Sequence, residues 1–185
     1  GLAPIVGANL RVKEDDQFSE ITVLAHGHNH GAGWAALVRL ISSAHSSRRR
    51  AGHTAHGTAH RRAWLRRRSP GVFLAQEQGP AGTVLLGPDS DVGQAVLAGR
   101  TSRARDLLTQ WQQQLPGAVA LEIVCHHTKP GSRASLAHAA GMLRLASEAE
   151  APAVLTNAVR YLQPDDAVTA DVLDAAAHLL PLGDF

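Results

Sequence analysis

Between Thr83 and Cys125 the chain spells out two apolar strands with two helices between them, and this stretch narrows the possible folds most. Val84-Leu85-Leu86 and Ala118 to Cys125 are apolar runs of strand length, the pattern of strands buried within a sheet. Asp89 or Ser90 can cap a helix carrying Val92, Val96 and Leu97, which Gly99 stops. From about Ser102 a second helix puts Leu107, Leu108, Trp111 and Leu115 on one face, until Pro116-Gly117 ends it. Strands alternating with helices argue for an α/β domain with a largely parallel sheet or barrel.

The flanking segments extend that pattern. Ile5 to Val12 reads as a strand, Lys13 to Gln17 as a charged turn and Ile21 to Ala25 as a second strand. Trp34, Leu37, Val38 and Ile41 recur at helical spacing through about Ala44. Order returns with Val72 to Ala75. A helix is expected around Leu136, Ala140, Leu143 and Ala146, a short buried strand at Ala153 to Thr156, and a last helix from Ala167 to Leu180 presenting Val168, Val172, Leu173, Ala176 and Leu180. With 185 residues, residues 1–185 are expected to form one domain. No apolar run approaches the roughly eighteen residues that span a membrane. Cys125 is the sole cysteine and nothing at the N-terminus resembles a signal peptide, which fits a reducing cytoplasm. The chain opens Gly-Leu-Ala-Pro-Ile-Val, without Met, and is expected to be a fragment. In α/β folds function gathers at the C-terminal ends of strands, here near Asn9, Ala25, Gly87, Cys125 and Asn157.

Three features compete for a chemical role. His26, His28 and His30 alternate in a glycine-rich stretch, but zinc needs convergent imidazoles fixed by outer partners, and the flanking Gly and Asn residues supply no such fixing. His126-His127 lies at the end of the strongest strand beside Cys125, yet neighbouring side chains of an extended segment point to opposite faces. Residues 46–70 hold eight of the 18 basic residues and none of the 16 acids, so the rest of the chain carries a net −6. Arg48, Arg49, Arg50, Arg61, Arg62, Arg66, Arg67 and Arg68 make this segment a candidate for phosphate contact. Trp64, its lone aromatic, is thin for base stacking, and the composition is that of a disordered Arg/His-rich insertion. No phosphate-binding glycine loop, Gly-x-Ser-x-Gly elbow or His-Glu-x-x-His motif occurs.

Four blocks, taken in order, resemble one family. "APIVGANLRV", "ITVLAHGHNHGAGWAALVRLISSAH", "GTVLLGPDSDVGQAVLAGRTSRARDLLTQWQQQLPGAVALEIVCHH" and "APAVLTNAVRYLQPDDAVTADVLDAA" are similar to successive segments of the PHP (polymerase and histidinol phosphatase) domain of bacterial DNA polymerase III alpha subunits, which are C-family polymerases. The likeness looks closest to the error-prone-type paralogues, and it covers nearly everything except 46–70. It implies an incomplete β/α barrel, seven-stranded in the family and here lacking its first strands. Those strands carry a His-x-His and an Asp-His pair, half of the family's trinuclear metal site.

The other half maps onto this chain position by position. Asn9 stands where metal-binding members have a glutamate, Glu20 where a strand begins with histidine and Pro88 where a cysteine or histidine follows a "leu-ser-gly". Ala158 and Arg160 replace the closing Asp-x-His. Proline and alanine offer no side-chain donor, asparagine brings no charge, and an arginine repels divalent ions. The resemblance therefore implies a vestigial, metal-free and catalytically silent pocket, with Asn9, Asn157 and Arg160 hydrogen-bonding one another in place of metal.

The parent chain would be a DNA-directed DNA polymerase in replication or error-prone repair, using Mg2+ in a palm that lies outside these residues. This segment, with no polymerase catalytic residues and no cofactor of its own, would be a scaffold against the rest of that chain. Accessory proteins and DNA would be reached through the parent, with no membrane involved. Two other readings stay open: a metal-dependent phosphoesterase of the same family, and a nucleic-acid-binding module built on the arginine segment.

Overall fold

The structure is a computed structural model that describes residues 5–27, 31–50, 63–76, 79–156 and 163–178. Six strands form one mixed sheet with helices: β1 (Gly7–Glu14), β2 (Gln17–Ala25), β3 (Leu65–Arg66), β4 (Gly82–Leu86), β5 (Val119–Val124) and β6 (Ala153–Thr156). The helices are α1 (Ala32–Arg50), α2 (Ser69–Leu74), α3 (Asp91–Leu97), α4 (Thr101–Gln114), α5 (Leu136–Glu148) and α6 (Ala167–His178). Strand order is β3-β1-β2-β4-β5-β6, an α/β architecture. No described helix is long and apolar enough to cross a membrane.

The sheet is less parallel than expected. β2 runs antiparallel to both β1 and β4, whereas β1–β3, β4–β5 and β5–β6 are parallel pairs. The reason is local: Glu14 pairs with Gln17, and a two-residue link can only join antiparallel strands. Asp15 takes a left-handed conformation there, φ 52°, which a short carboxylate side chain tolerates.

Alternation along the strands separates two faces. Leu10, Val12, Ile21, Val23, Val84, Leu86, Val119, Leu121 and Ile123 turn to one side and form the main core with Leu37 and Leu40 of α1, Val92 of α3, Leu108 and Trp111 of α4 and Met142 of α5. The intervening residues, among them Asn9, Arg11, Glu20, Thr22 and Glu122, turn to the other. Helices α1 to α5 thus cover one face, and the other carries the polar groups.

Several expected elements shift. On α5 the buried face is His138, Ala139, Met142, Leu145 and Ala146, while Leu136 and Leu143 are exposed. His138 is buried because Nδ1 accepts from Ala134 N (3.3 Å), leaving Nε2, 2.9 Å from Gly93 O, to donate. β6 is not buried: Leu155 is 78% exposed, because the strand lies at the sheet edge and pairs only with β5. On α6 the expected apolar face of Val168, Val172 and Leu173 is likewise exposed, with Ala170 and Ala175 buried instead.

The expected insertion at 46–70 differs at both ends. Residues 46–50 finish α1 and 63–70 supply β3 and the start of α2; residues 51–62 lie outside the described set. The anchor at the far end is Arg67, whose side chain is 3% exposed. Its Nε donates to Asp91 Oδ2 at 2.6 Å, its other nitrogens donate to Gln110 Oε1 (3.2 Å) and Leu107 O (3.0 Å), and its guanidinium lies 4.6 Å from the Trp111 ring centroid.

Candidate functional site

The polar sheet face opens into a pocket of about 360 Å3 lined by Asn9, Glu20, Thr22, Pro88, Asp89, Glu122, His126 and Arg133, among others. It lies at the C-terminal ends of β4 and β5, where loops leave parallel strands and ligands ordinarily sit. Three of the five pocket positions read from the sequence, Asn9, Glu20 and Pro88, are brought together here. Ala158 and Arg160 lie outside the described residues, as does Asn157, so the expected bonding among Asn9, Asn157 and Arg160 has no described counterpart. Asn9 Oδ1 instead accepts from Thr22 Oγ1 at 2.7 Å, across the β1–β2 pair.

Register explains the geometry. Extending the β2–β4 and β4–β5 pairings puts Gly87 between Glu20 and Glu122. Their backbones therefore stand about two strand spacings, roughly 10 Å, apart. A Cβ at Gly87 would collide with Glu122 Oε2, so the missing side chain is what admits that carboxylate. Glu122 Oε1 accepts from Thr156 Oγ1 at 2.7 Å. The pocket rim is tied by an ion pair between Arg133 and Asp89, which join the β5–α5 and β4–α3 loops. The hydrogen bond to Asp89 raises the Arg133 pKa above its ordinary value, burial opposes this, and the charges of Asp89 and Glu20 add to the rise. Both ionic side chains are substantially exposed, so the pair contributes at most about 1 kcal/mol to stability.

The positions compared with metal ligands are poor donors here. Pro88 supplies no donor, Asn9 is already bonded to Thr22, and a guanidinium stands among the carboxylates. Among the described residues no group of three or more His, Cys, Asp and Glu converges to hold an ion.

Other candidates are placed elsewhere. His26 lies at the far rim, since Ala25 pairs with Gly82 at the start of β4, and His28 and His30 are outside the described residues. His26 is no free loop ligand: its Nδ1 is 2.9 Å from Pro80 O and its Nε2 is 2.8 Å from Thr83 Oγ1. A carbonyl only accepts, so Nδ1 carries the proton and, in the neutral ring, Nε2 accepts from the threonine. His26→Phe is accordingly expected to cost about 1 kcal/mol in urea denaturation, with unchanged zinc affinity in a competition titration.

His126 lines the pocket and its backbone N donates to Ala134 O at 2.8 Å; His127 is exposed, with φ 53°. Of the arginines offered for phosphate contact, Arg66 and Arg68 are exposed. Arg67 does not fit that role, because its guanidinium is committed to Asp91, Gln110 and Leu107. Arg61 and Arg62 are outside the described residues, and Arg48, Arg49 and Arg50 end α1.

Residue reading alone missed Asp89, Glu122 and Arg133 as pocket residues. Glu122 carried a usable signal, a lone acid in the apolar strand Val-Ala-Leu-Glu-Ile-Val.

No protein-family model matches the chain. It is similar to part of DNA polymerase III subunit alpha from Escherichia coli (strain K12), 30% identical over 169 residues, which is 90% of this chain and 13% of that protein. The same-named protein of Pseudomonas aeruginosa is 27% identical over 169 residues (90% and 13%), and that of Vibrio cholerae 25% over 178 residues (96% and 14%). The chain thus spans 13% to 14% of the length of these relatives. The similarity extends over nearly the whole chain and supports kinship with the DNA polymerase III alpha family.

Proposed function

We propose that this chain is a PHP-type scaffold segment of a DNA polymerase III alpha-type polymerase, metal-free and catalytically silent. The observation that carries the reading is the pocket at the ends of β4 and β5. Asn9, Glu20 and Pro88, the positions where the resemblance places metal ligands, meet there, and among the described residues no three His, Cys, Asp or Glu groups are placed to hold one ion. An open sheet with α1 to α5 packed on one face is compatible with part of a β/α barrel, the uncovered polar face being its interior. On this reading nucleotide addition, its Mg2+ and its DNA contacts belong to the rest of the polymerase, against which this segment packs in the cytoplasm. Replication or repair accessory proteins would dock on the assembled chain.

The test is elemental analysis of the full polymerase chain together with hydrolysis of bis-para-nitrophenyl phosphate. We expect zinc and manganese well below one per chain and no hydrolysis attributable to this segment. Stoichiometric metal with turnover that Glu122→Gln abolishes would establish the phosphoesterase reading instead. For the arginine segment, deletion of residues 48–62 is expected to leave the salt dependence of DNA affinity unchanged. A shallower slope of log affinity against log salt would restore it as a phosphate contact.

A further inference from the structure

Among the described residues the pocket gathers three carboxylates, Glu20, Asp89 and Glu122, with one guanidinium, Arg133, in its lining. Arg133 belongs to none of the positions compared with the family above, and its placement is built by the loop that carries it. Thr128 Oγ1 donates to Arg133 O at 2.8 Å, Ser132 Oγ bonds Thr128 Oγ1 at 3.0 Å, and the next residue, Ala134, is held through its carbonyl by His126 N at 2.8 Å. The backbone is thus clamped on both sides of Arg133, and the side chain reaches Asp89 within the field of Glu20.

We infer that Arg133 is the resident cation of this pocket: its guanidinium, paired with Asp89 and within the field of Glu20, takes the place of a metal ion and keeps divalent cations out. A guanidinium is broad and planar, so acids near it need not converge on a point; here it bonds Asp89 and feels the charge of Glu20. This accounts for three carboxylates lining one pocket while no described group of three is placed around a single ion. A divalent ion seated among the same acids would face a fixed positive charge a few ångströms away. At the dielectric of a half-open pocket that repulsion lowers affinity by about tenfold or more.

The inference rests on the metal-free reading, and one titration separates the two. Manganese is titrated into the full polymerase chain, and binding that a Glu122→Gln control removes is followed by loss of the free-ion electron paramagnetic resonance signal. Arg133→Gln is expected to bind manganese in this pocket at least tenfold more tightly than the parent, and Arg133→Lys no more tightly. Arg133 is 61% exposed, so both variants should fold. Circular dichroism checks this, and Arg133→Met replaces Arg133→Gln if it does not. No gain in the neutral variant overturns the inference and leaves the metal-free reading standing, and an equal gain in Arg133→Lys overturns it too, since charge would not be the cause. A parent that already binds as tightly as the neutral variant, near one ion per chain, overturns both.

Discussion

Arg67→Ala is expected to lower the unfolding free energy by about 3 to 5 kcal/mol, the range for breaking a buried ion pair by removing one partner. Alanine would leave Asp91 with its bonds from Trp111 Nε1 (3.0 Å) and its own helix at Val92 N (2.8 Å) but without its close counter-charge. The acceptors on Gln110 and Leu107 would lose their donors, and the face of Trp111, itself fully buried, its cation. Arg67→Lys keeps the charge but not the fork, so it should recover only part of the loss. Urea denaturation followed by circular dichroism measures both. A loss below 1 kcal/mol for alanine would mean that the network behaves like a solvated surface pair, against the 3% exposure of its centre. The lesion should also be felt in β3 and α2, because Arg67 ties them to α3 and α4.

Arg67 also marks where the sequence stops being legible. It sits in a run of arginines with no apolar periodicity, and nothing local distinguishes it from Arg66 or Arg68; only partners 24 to 44 residues away, Asp91 first among them, make it a core residue. By contrast β4, α3, α4 and β5 appear where read, and Ser90, one of the two caps considered, does cap α3 by accepting from Gly93 N. Their signals are local: apolar runs of strand length, one clean 3.6-residue stripe, and breakers at Gly99 and Pro116-Gly117. The α5 stripe is not legible because His138 occupies a buried position, and a polar residue satisfied by distant backbone groups looks like a surface residue in one dimension. The antiparallel course of β2 is written in the short turn at 13–17, against the α/β pattern around it. For the pocket, Glu20 and Pro88 enter through family likeness alone, while Asn9 also stands at an expected strand end. Convergence of residues some 80 positions apart is set by sheet register, which no local pattern announces.

Gly93→Ala is expected to destabilise by about 2 to 3 kcal/mol, and here the sign itself is diagnostic. In an ordinary helix, glycine to alanine stabilises by up to about 1 kcal/mol through propensity. Gly93 is buried in the first turn of α3, with its N bonded to Ser90 Oγ at 3.0 Å and its O facing His138 Nε2. A Cβ there would overlap Gly87 O and stand 2.7 Å from Pro88 O. Both are backbone atoms, so no side chain can swing aside, and overpacking of this kind typically costs about 1 to 3 kcal/mol. Nor can the loop retreat freely, because Ser90 Oγ donates to Gly87 O at 2.7 Å and Glu20 N to Asp89 O at 2.9 Å. The strain should therefore fall on residues 87–89, the segment that carries Pro88 and Asp89 into the pocket, and hydrogen exchange at Ser90 and Glu20 should quicken along with the loss in thermal stability. A neutral or stabilising result would show that α3 can shift without disturbing that loop, and that the pocket rim is set by the Asp89–Arg133 pair rather than by the close approach that glycine permits.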